Sequence, residues 1–218
     1  MKKYRILVAD DHSLIRQGIK SVTRPDSTLE VIAEAANGFD LLNLLQHDPP
    51  DMVILDLIMP HLNGIESITR IRKAFPAVAI LVLTMHASSQ YLYQAIASGA
   101  HGYLIKDESD HELLKAIQTV RDGGIYISPQ LPPEIKDEVL MAFRDQRKMP
   151  FVELSGREKQ VLKLVVQGCS SKKIAKMLGL SPRTIDHHRA NLIKKFKMKN
   201  TVDLVNYVVR NAVIMPDE

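Results

Sequence analysis

One cysteine, Cys169, stands in 218 residues, so no disulfide can form within the chain. With no second cysteine and no catalytic partner at a supporting spacing, Cys169 reads as a small buried apolar residue rather than a reactive thiol. Long apolar runs are missing too. Ala77 to Met85, AVAILVLTM, is among the longest and falls well short of the ~18 residues of a membrane span. At the N-terminus, MKKYRILVADD reaches a pair of carboxylates before a signal-peptide core could develop. A cytoplasmic protein without membrane contact is expected. The chain also lacks a glycine-rich phosphate loop, zinc-ligand spacing, a Ser/His/Asp set, internal repeats and low-complexity tracts, which removes several chemistries at once.

What remains is ordinary globular composition, 45% hydrophobic and 25% charged, in a chain longer than the usual ~100 to 150 residues of one domain. The formal charge of +4 is unevenly spread. Residues 1–128 carry 12 Lys and Arg against 15 Asp and Glu, residues 129–150 carry 4 of each, and residues 151–218 carry 13 against 6. An acidic front and a basic back place any polyanion partner at the back.

Short apolar runs alternate with helical patterns through the first half. Residues 4–10, 29–35, 51–56, 78–84 and 100–106 read as strands, and four of the five are apolar nearly throughout, as strands covered on both faces are. Helical stretches fall near 13–23, 38–46, 64–74, 88–98 and 110–122. Five βα units with short connections imply an open parallel sheet with helices on both sides. Ligands in such a fold gather at the carboxyl ends of the strands. Asp10 and Asp11 end the first strand, Asp56 the third, Thr84 the fourth and Lys106 the fifth.

Three carboxylates converging there repel one another unless they bind a cation, and the hard Mg²⁺ ion suits carboxylate and phosphate oxygens. Asp56, at the head of DLIMPHLNG, would then attack phosphorus as a nucleophilic carboxylate. Lys106 and the Thr84 hydroxyl are suitable donors to the new phosphoryl oxygens.

Residues 1 to about 122 resemble a receiver domain of a bacterial two-component response regulator. The resemblance is carried by ADDH (Ala9–His12), DLIMP with Asn63 and Gly64, LT (Leu83, Thr84) and GAHGYLIK (Gly99–Lys106). It implies a flavodoxin-like five-stranded parallel sheet of order 2-1-3-4-5 and Asp56 as phosphoacceptor for a histidine kinase. It also implies Mg²⁺ held by Asp11, Asp56 and the Ile58 carbonyl, with Asp10 acting through water, and Thr84 and Tyr103 as the pair that shifts on phosphorylation. Met85 and Asp107 depart from the commonest receiver pattern. Ile58 is apolar and cannot hydrogen-bond a hydrolytic water, so a long-lived phosphoryl group is expected. An aspartyl-phosphate phosphohydrolase is the rival enzyme reading; its second Asp would stand at position 58, which holds Ile58.

Residues 126–150 read as a linker with a charged helix, Glu134 to Arg147, between prolines. Residues 151–218 then read as an all-α domain. Ser155 and Glu158 form a capping box, a short helix ends at Gly179, Ser181 caps a helix whose first position is Pro182, and Thr201 to Asn211 makes the last helix. At ~100° per residue the Pro182 helix turns Ile185, Leu192 and Phe196 inward and Asp186, His187, Ala190, Asn191 and Lys194 outward, toward a DNA major groove. Lys172, Lys173, Arg183, Lys195, Lys197, Thr184 and the helix start at Ser181 are candidate phosphate contacts, while Asp186, His187 and Ala190 are candidate base readers. Adjacent helical residues point about 100° apart, so His187 and His188 do not form a metal site with Asp186.

LSGREKQVLKLVVQG, SSKKIAKMLGLS and RTIDHHRANLIKKF resemble the LuxR-type helix-turn-helix of NarL/FixJ response regulators in order and spacing. Asp186 stands where lysine is frequent and should select sequence rather than add grip. The two resemblances imply a phosphorylation-gated transcription factor, a homodimer when phosphorylated, acting on double-stranded DNA with RNA polymerase as a further partner. The rival is a basic domain that docks only acidic proteins, which would lack base-specific protection.

Overall fold

The structure, a computed structural model, describes residues 3–60, 64–144, 152 and 154–210. The chain divides into two compact units, one carrying the first twelve elements and the other the last four helices.

In the first unit, β1 (Tyr4–Ala9), β2 (Leu29–Ala35), β3 (Met52–Leu55), β4 (Ala79–Thr84) and β5 (Gly102–Ile105) fall where apolar runs are expected. Leu7, Val53, Ile80 and Tyr103 are fully buried, because helices cover both faces of these central strands. α1 (Ser13–Thr23), α2 (Gly38–His47), α3 (Gly64–Ala74), α4 (Ser89–Ala97) and α5 (Asp110–Arg121) alternate with them. Side-chain caps explain several starts: Asn37 accepts from the Phe39 and Asp40 amides, and Ser109 from the Glu112 amide.

The sheet is parallel throughout, in the order β2-β1-β3-β4-β5-β6. The expected order holds, and the structure adds a sixth strand, β6 (Tyr126–Ile127), beside β5. A two-residue strand carries no alternation to read, so its residues pass for linker in the sequence. α6 (Pro133–Arg144) follows it; residues 145–147 of the expected linker helix lie outside the described residues.

The second unit holds α7 (Gly156–Val166), α8 (Ser171–Leu178), α9 (Pro182–Lys195) and α10 (Thr201–Arg210) around Val161, Leu162, Ile174, Ile185, Leu192, Phe196, Leu204 and Val208. Gly179 ends α8 with φ +66°, a left-handed conformation that side chains resist. Among the described residues, no helix is long and apolar enough to cross a membrane.

Candidate functional site

The strand ladder delivers the acidic residues to one edge of the sheet. The Asp56 amide donates to the Ala9 carbonyl (2.8 Å), the Asp10 amide to Ala35 (3.1 Å) and the Lys106 amide to Thr84 (2.8 Å), so three strands present their terminal side chains together. Gly64 opens α3 against the segment after Asp56. A Cβ there would lie 2.5 Å from the Leu57 Cα and 2.7 Å from the Asp56 carbonyl oxygen, so only glycine permits this approach. Asn63, quoted with it in the sequence motif, lies outside the described residues.

Asp10 and Asp56 are buried, while Asp11 and His12 stand at the exposed rim. One ligand atom from each of Asp10, Asp11, His12 and Asp56 falls within 4.8 Å of the others. The Lys106 ammonium is wedged between the two buried carboxylates, 2.6 Å from Asp56 Oδ2 and 2.7 Å from Asp10 Oδ2. Burial pushes the Asp56 carboxyl upward, against the pull of Lys106 and with the charge of Asp10 adding to the rise. For Lys106, burial is the largest single influence and lowers its pKa, but the bonds to Asp10 and Asp56 together outweigh it and the net shift is upward. Three carboxylates against one ammonium leave an excess of negative charge that a hard divalent cation would balance, and oxygen donors of this kind suit Mg²⁺.

Around this cluster, the Ile58 amide reaches Asp56 Oδ1 at 3.3 Å and the His12 amide reaches Asp10 Oδ1 at 2.9 Å. Thr84 is buried, and its Oγ1 faces the His86 amide at 3.4 Å. Tyr103 is wholly buried, with its hydroxyl donating to the His86 carbonyl (2.7 Å). In this structure Tyr103 lies inside. Sequence reasoning passes over His86, whose ring stands edge-on to Tyr91 at 5.0 Å. Its neighbours come from β5 and α4, which no local pattern links. It also passes over Arg16, which donates to the Asp10 carbonyl at 2.7 Å.

In the second unit, the Ser155–Glu158 capping box is present: the Glu158 amide donates to Ser155 Oγ (3.3 Å) and the Ser155 amide to Glu158 Oε2 (2.9 Å). α9 buries Ile185, Leu192 and Phe196 and exposes Arg183, Asp186, His187, Ala190 and Lys194, with Thr184 and Asn191 half-buried. Lys172 and Lys173 are exposed on the first turn of α8. Lys197 is exposed just past α9, in a left-handed conformation (φ 54°). The Ser181 hydroxyl is engaged with the Thr184 amide at 3.0 Å and the Thr184 hydroxyl at 2.8 Å. Lys195 differs from the other lysines: its ammonium lies 2.8 Å from Glu158, tying the end of α9 to the capping box of α7.

Residues 6–118 match the family model of the response regulator receiver domain, and residues 152–208 match that of the bacterial regulatory proteins of the luxR family. The chain is a response regulator. The oxygen regulatory protein NreC of Staphylococcus carnosus (strain TM300) is 32% identical over 214 residues, spanning 96% of this chain and 99% of that protein. RcsB from Salmonella enterica serovar Typhimurium, bound to promoter rprA in the presence of phosphomimetic BeF3-, is 26% identical with a TM-score of 0.62 over 95% of this chain and 99% of that one. A two-component response regulator of the LuxR family from Aurantimonas sp. SI85-9A1 is 34% identical with a TM-score of 0.59, covering 63% of this chain and 98% of that one. This response regulator thus joins a receiver to a helix-turn-helix domain and regulates transcription, and it is not an enzyme of the usual kind. Receiver domains typically bind Mg²⁺ at the acidic pocket, and this one presents the Asp cluster for it.

Proposed function

We propose that this response regulator accepts a phosphoryl group on Asp56 from a histidine kinase and thereby controls its own binding to DNA. The observation that carries this reading is Asp56 itself, a buried carboxylate at a strand end with an ammonium 2.6 Å away and two further carboxylates beside it. An Asp56 oxygen forms a bond to phosphorus as the P–N bond to the kinase phosphohistidine breaks, and the electron pair stays on the departing imidazole. Asp11, Asp56 and the Ile58 carbonyl would hold Mg²⁺, with Asp10 acting through water. Bound there, the ion supplies charge neutralisation to the transferring group. Lys106 exchanges its contact with Asp56 for a phosphoryl oxygen, and the Thr84 hydroxyl donates to another. Movement of Thr84 pulls on the His86 segment, and through the His86 carbonyl on Tyr103. That shift alters the surface of α4, β5 and α5, and with it dimerisation or release of the DNA-binding unit, a local charge change read by a two-state element.

The outward face of α9 enters the major groove, where Asp186, His187, Ala190 and Asn191 face bases. Lys172, Lys173, Arg183, Thr184, Lys194, Lys197 and the α9 start at Ser181 meet phosphates. Lys195 joins them only where Glu158 leaves it reach. A homodimer on two half-sites is the binding form, consistent with the RcsB dimers seen on DNA, and RNA polymerase is the partner at the promoter. Intact-mass spectrometry after incubation with phosphoramidate and Mg²⁺ tests the first step. One phosphoryl adduct is expected on the parent and none on Asp56→Ala; an equal adduct on the variant would overturn the assignment.

A further inference from the structure

Helices packed on one face of a sheet normally keep their outer side in water, yet α4 does not. Gln90, Tyr91, Leu92, Tyr93, Ala95 and Ile96 are all buried, and at ~100° per residue they point around most of the helix. Part of the cover comes from α6. The Tyr93 hydroxyl donates to Glu138 near the middle of α6, and α6 turns Val139 and Ala142 inward while Glu134, Asp137 and Met141 face out. The segment between β6 and α6 is anchored as well. Leu131 is buried, and the Ser128 hydroxyl donates to Glu108 of the β5–α5 turn. On the other flank the packing is incomplete: a cavity of about 170 Å³ lies between Lys115 and Thr119 of α5, Tyr126 of β6, and Lys136 and Leu140 of α6. Among the described contacts, the hydrogen bond from Tyr93 ties α6 directly to α4.

α4 is also the helix next to the acidic pocket. The segment from Thr84 to α4 contains His86, whose amide faces Thr84, whose carbonyl accepts from Tyr103 and whose ring abuts Tyr91. Tyr91 itself keeps a buried hydroxyl without a hydrogen-bond partner, and Gln90 a buried amide nitrogen likewise. Unpaired buried polar atoms are costly, so this turn of α4 gains if a rearrangement lets them find partners. Coupling between two sites is carried by contiguous contacts and an element with two arrangements. The contacts run from Asp56 through Lys106 and Thr84 to His86 and Tyr91, and the body of α4 links that turn to Tyr93 and, through it, to Glu138.

We propose that α6 is a strap on the receiver, docked on α4 through Tyr93 and Glu138, and that charging Asp56 releases it. This rests on the reading of Asp56 as phosphoacceptor. Release frees the chain that leads from the receiver to the DNA-binding unit, so the strap converts a change in the pocket into freedom of the tether.

Hydrogen-exchange mass spectrometry on the full chain in Mg²⁺, with and without beryllofluoride, tests it. In the parent, α6 amides are expected to exchange about tenfold faster with beryllofluoride. In Tyr93→Phe they are expected to do so without it, by roughly the tenfold that one charge-assisted hydrogen bond supports. Glu138→Ala, altered at an exposed position, should match Tyr93→Phe, and Asp56→Ala should not respond to beryllofluoride. If beryllofluoride slows exchange at Asp56–Pro60 while α6 is unchanged, the strap is refuted and the phosphoacceptor reading stands. No change anywhere in the parent would sink both.

Discussion

Lys106 is the residue on which the resting pocket depends. Its side chain is nearly buried between two buried carboxylates, of which burial pushes Asp56 upward. Removing one member of a buried ionic cluster leaves the others uncompensated, at a cost of about 3–5 kcal/mol. Lys106→Met is accordingly expected to lose that much unfolding free energy in chelator, and to recover more of it on adding Mg²⁺ than the parent gains. Denaturant melts with and without the ion measure both, and an unchanged midpoint would contradict the arrangement. Glu158 gives a case in the second unit. Burial is the largest influence and raises its carboxyl, but the bonds from Lys195 and Ser155 prevail and its pKa lies below the usual glutamate value. A carboxyl depressed in the folded state contributes stability above its unfolded pKa and loses it as pH falls through the folded one. The stability gap between the parent and Glu158→Gln should therefore be full at neutral pH and close as the buffer is taken below pH ~4. A gap constant with pH would mean that Lys195 and Glu158 are not a working pair.

At the scale of elements, the β3–α3 junction has the least tolerance. Gly64 rests on the backbone of Leu57 and Asp56, which cannot yield as a flexible side chain can. Gly64→Ala is expected to lower the melting temperature by several degrees and to weaken Mg²⁺ binding through displacement of Asp56; calorimetry and a metal titration report the two effects. The strands and helices of both units are largely legible in the sequence, and the reasons are local. β1, β3 and β4 are buried on both faces over most of their length and so are apolar nearly throughout. The Ser155 box, the Ser181 cap before Pro182 and the left-handed Gly179 are each written within four residues. β6 is not legible, because Tyr126 and Ile127 form a strand through pairing with the distant Gly102 and Tyr103, which two residues cannot signal by alternation. The strand-end position of Asp10, Asp56, Thr84 and Lys106 can be read from the alternation of runs. Two long-range ties cannot: Tyr93 to Glu138 and Lys195 to Glu158 join residues 45 and 37 positions apart. No periodicity carries such a contact, and Lys195 reads in the sequence as one more basic residue on a DNA-binding face.

Across the whole molecule, charge is divided by task. The acidic receiver gathers a carboxylate cluster suited to a cation, and the basic unit presents exposed lysines and arginine around α9. Phosphate contacts release counterions, so DNA affinity should fall steeply with salt, with a logarithmic slope of roughly −0.9 per phosphate engaged. Docking on an acidic protein need not protect any base, so footprint specificity separates the two partners. The measurement that bears most directly on the central claim is binding to the upstream DNA of the protein's own gene across a salt series. It is made with and without beryllofluoride and Mg²⁺, for the parent and Asp56→Ala. The expected result is tighter, footprint-specific binding on adding beryllofluoride in the parent alone. Binding equally strong in all four conditions would contradict it, because the pocket at Asp56 would then not gate the DNA-binding unit.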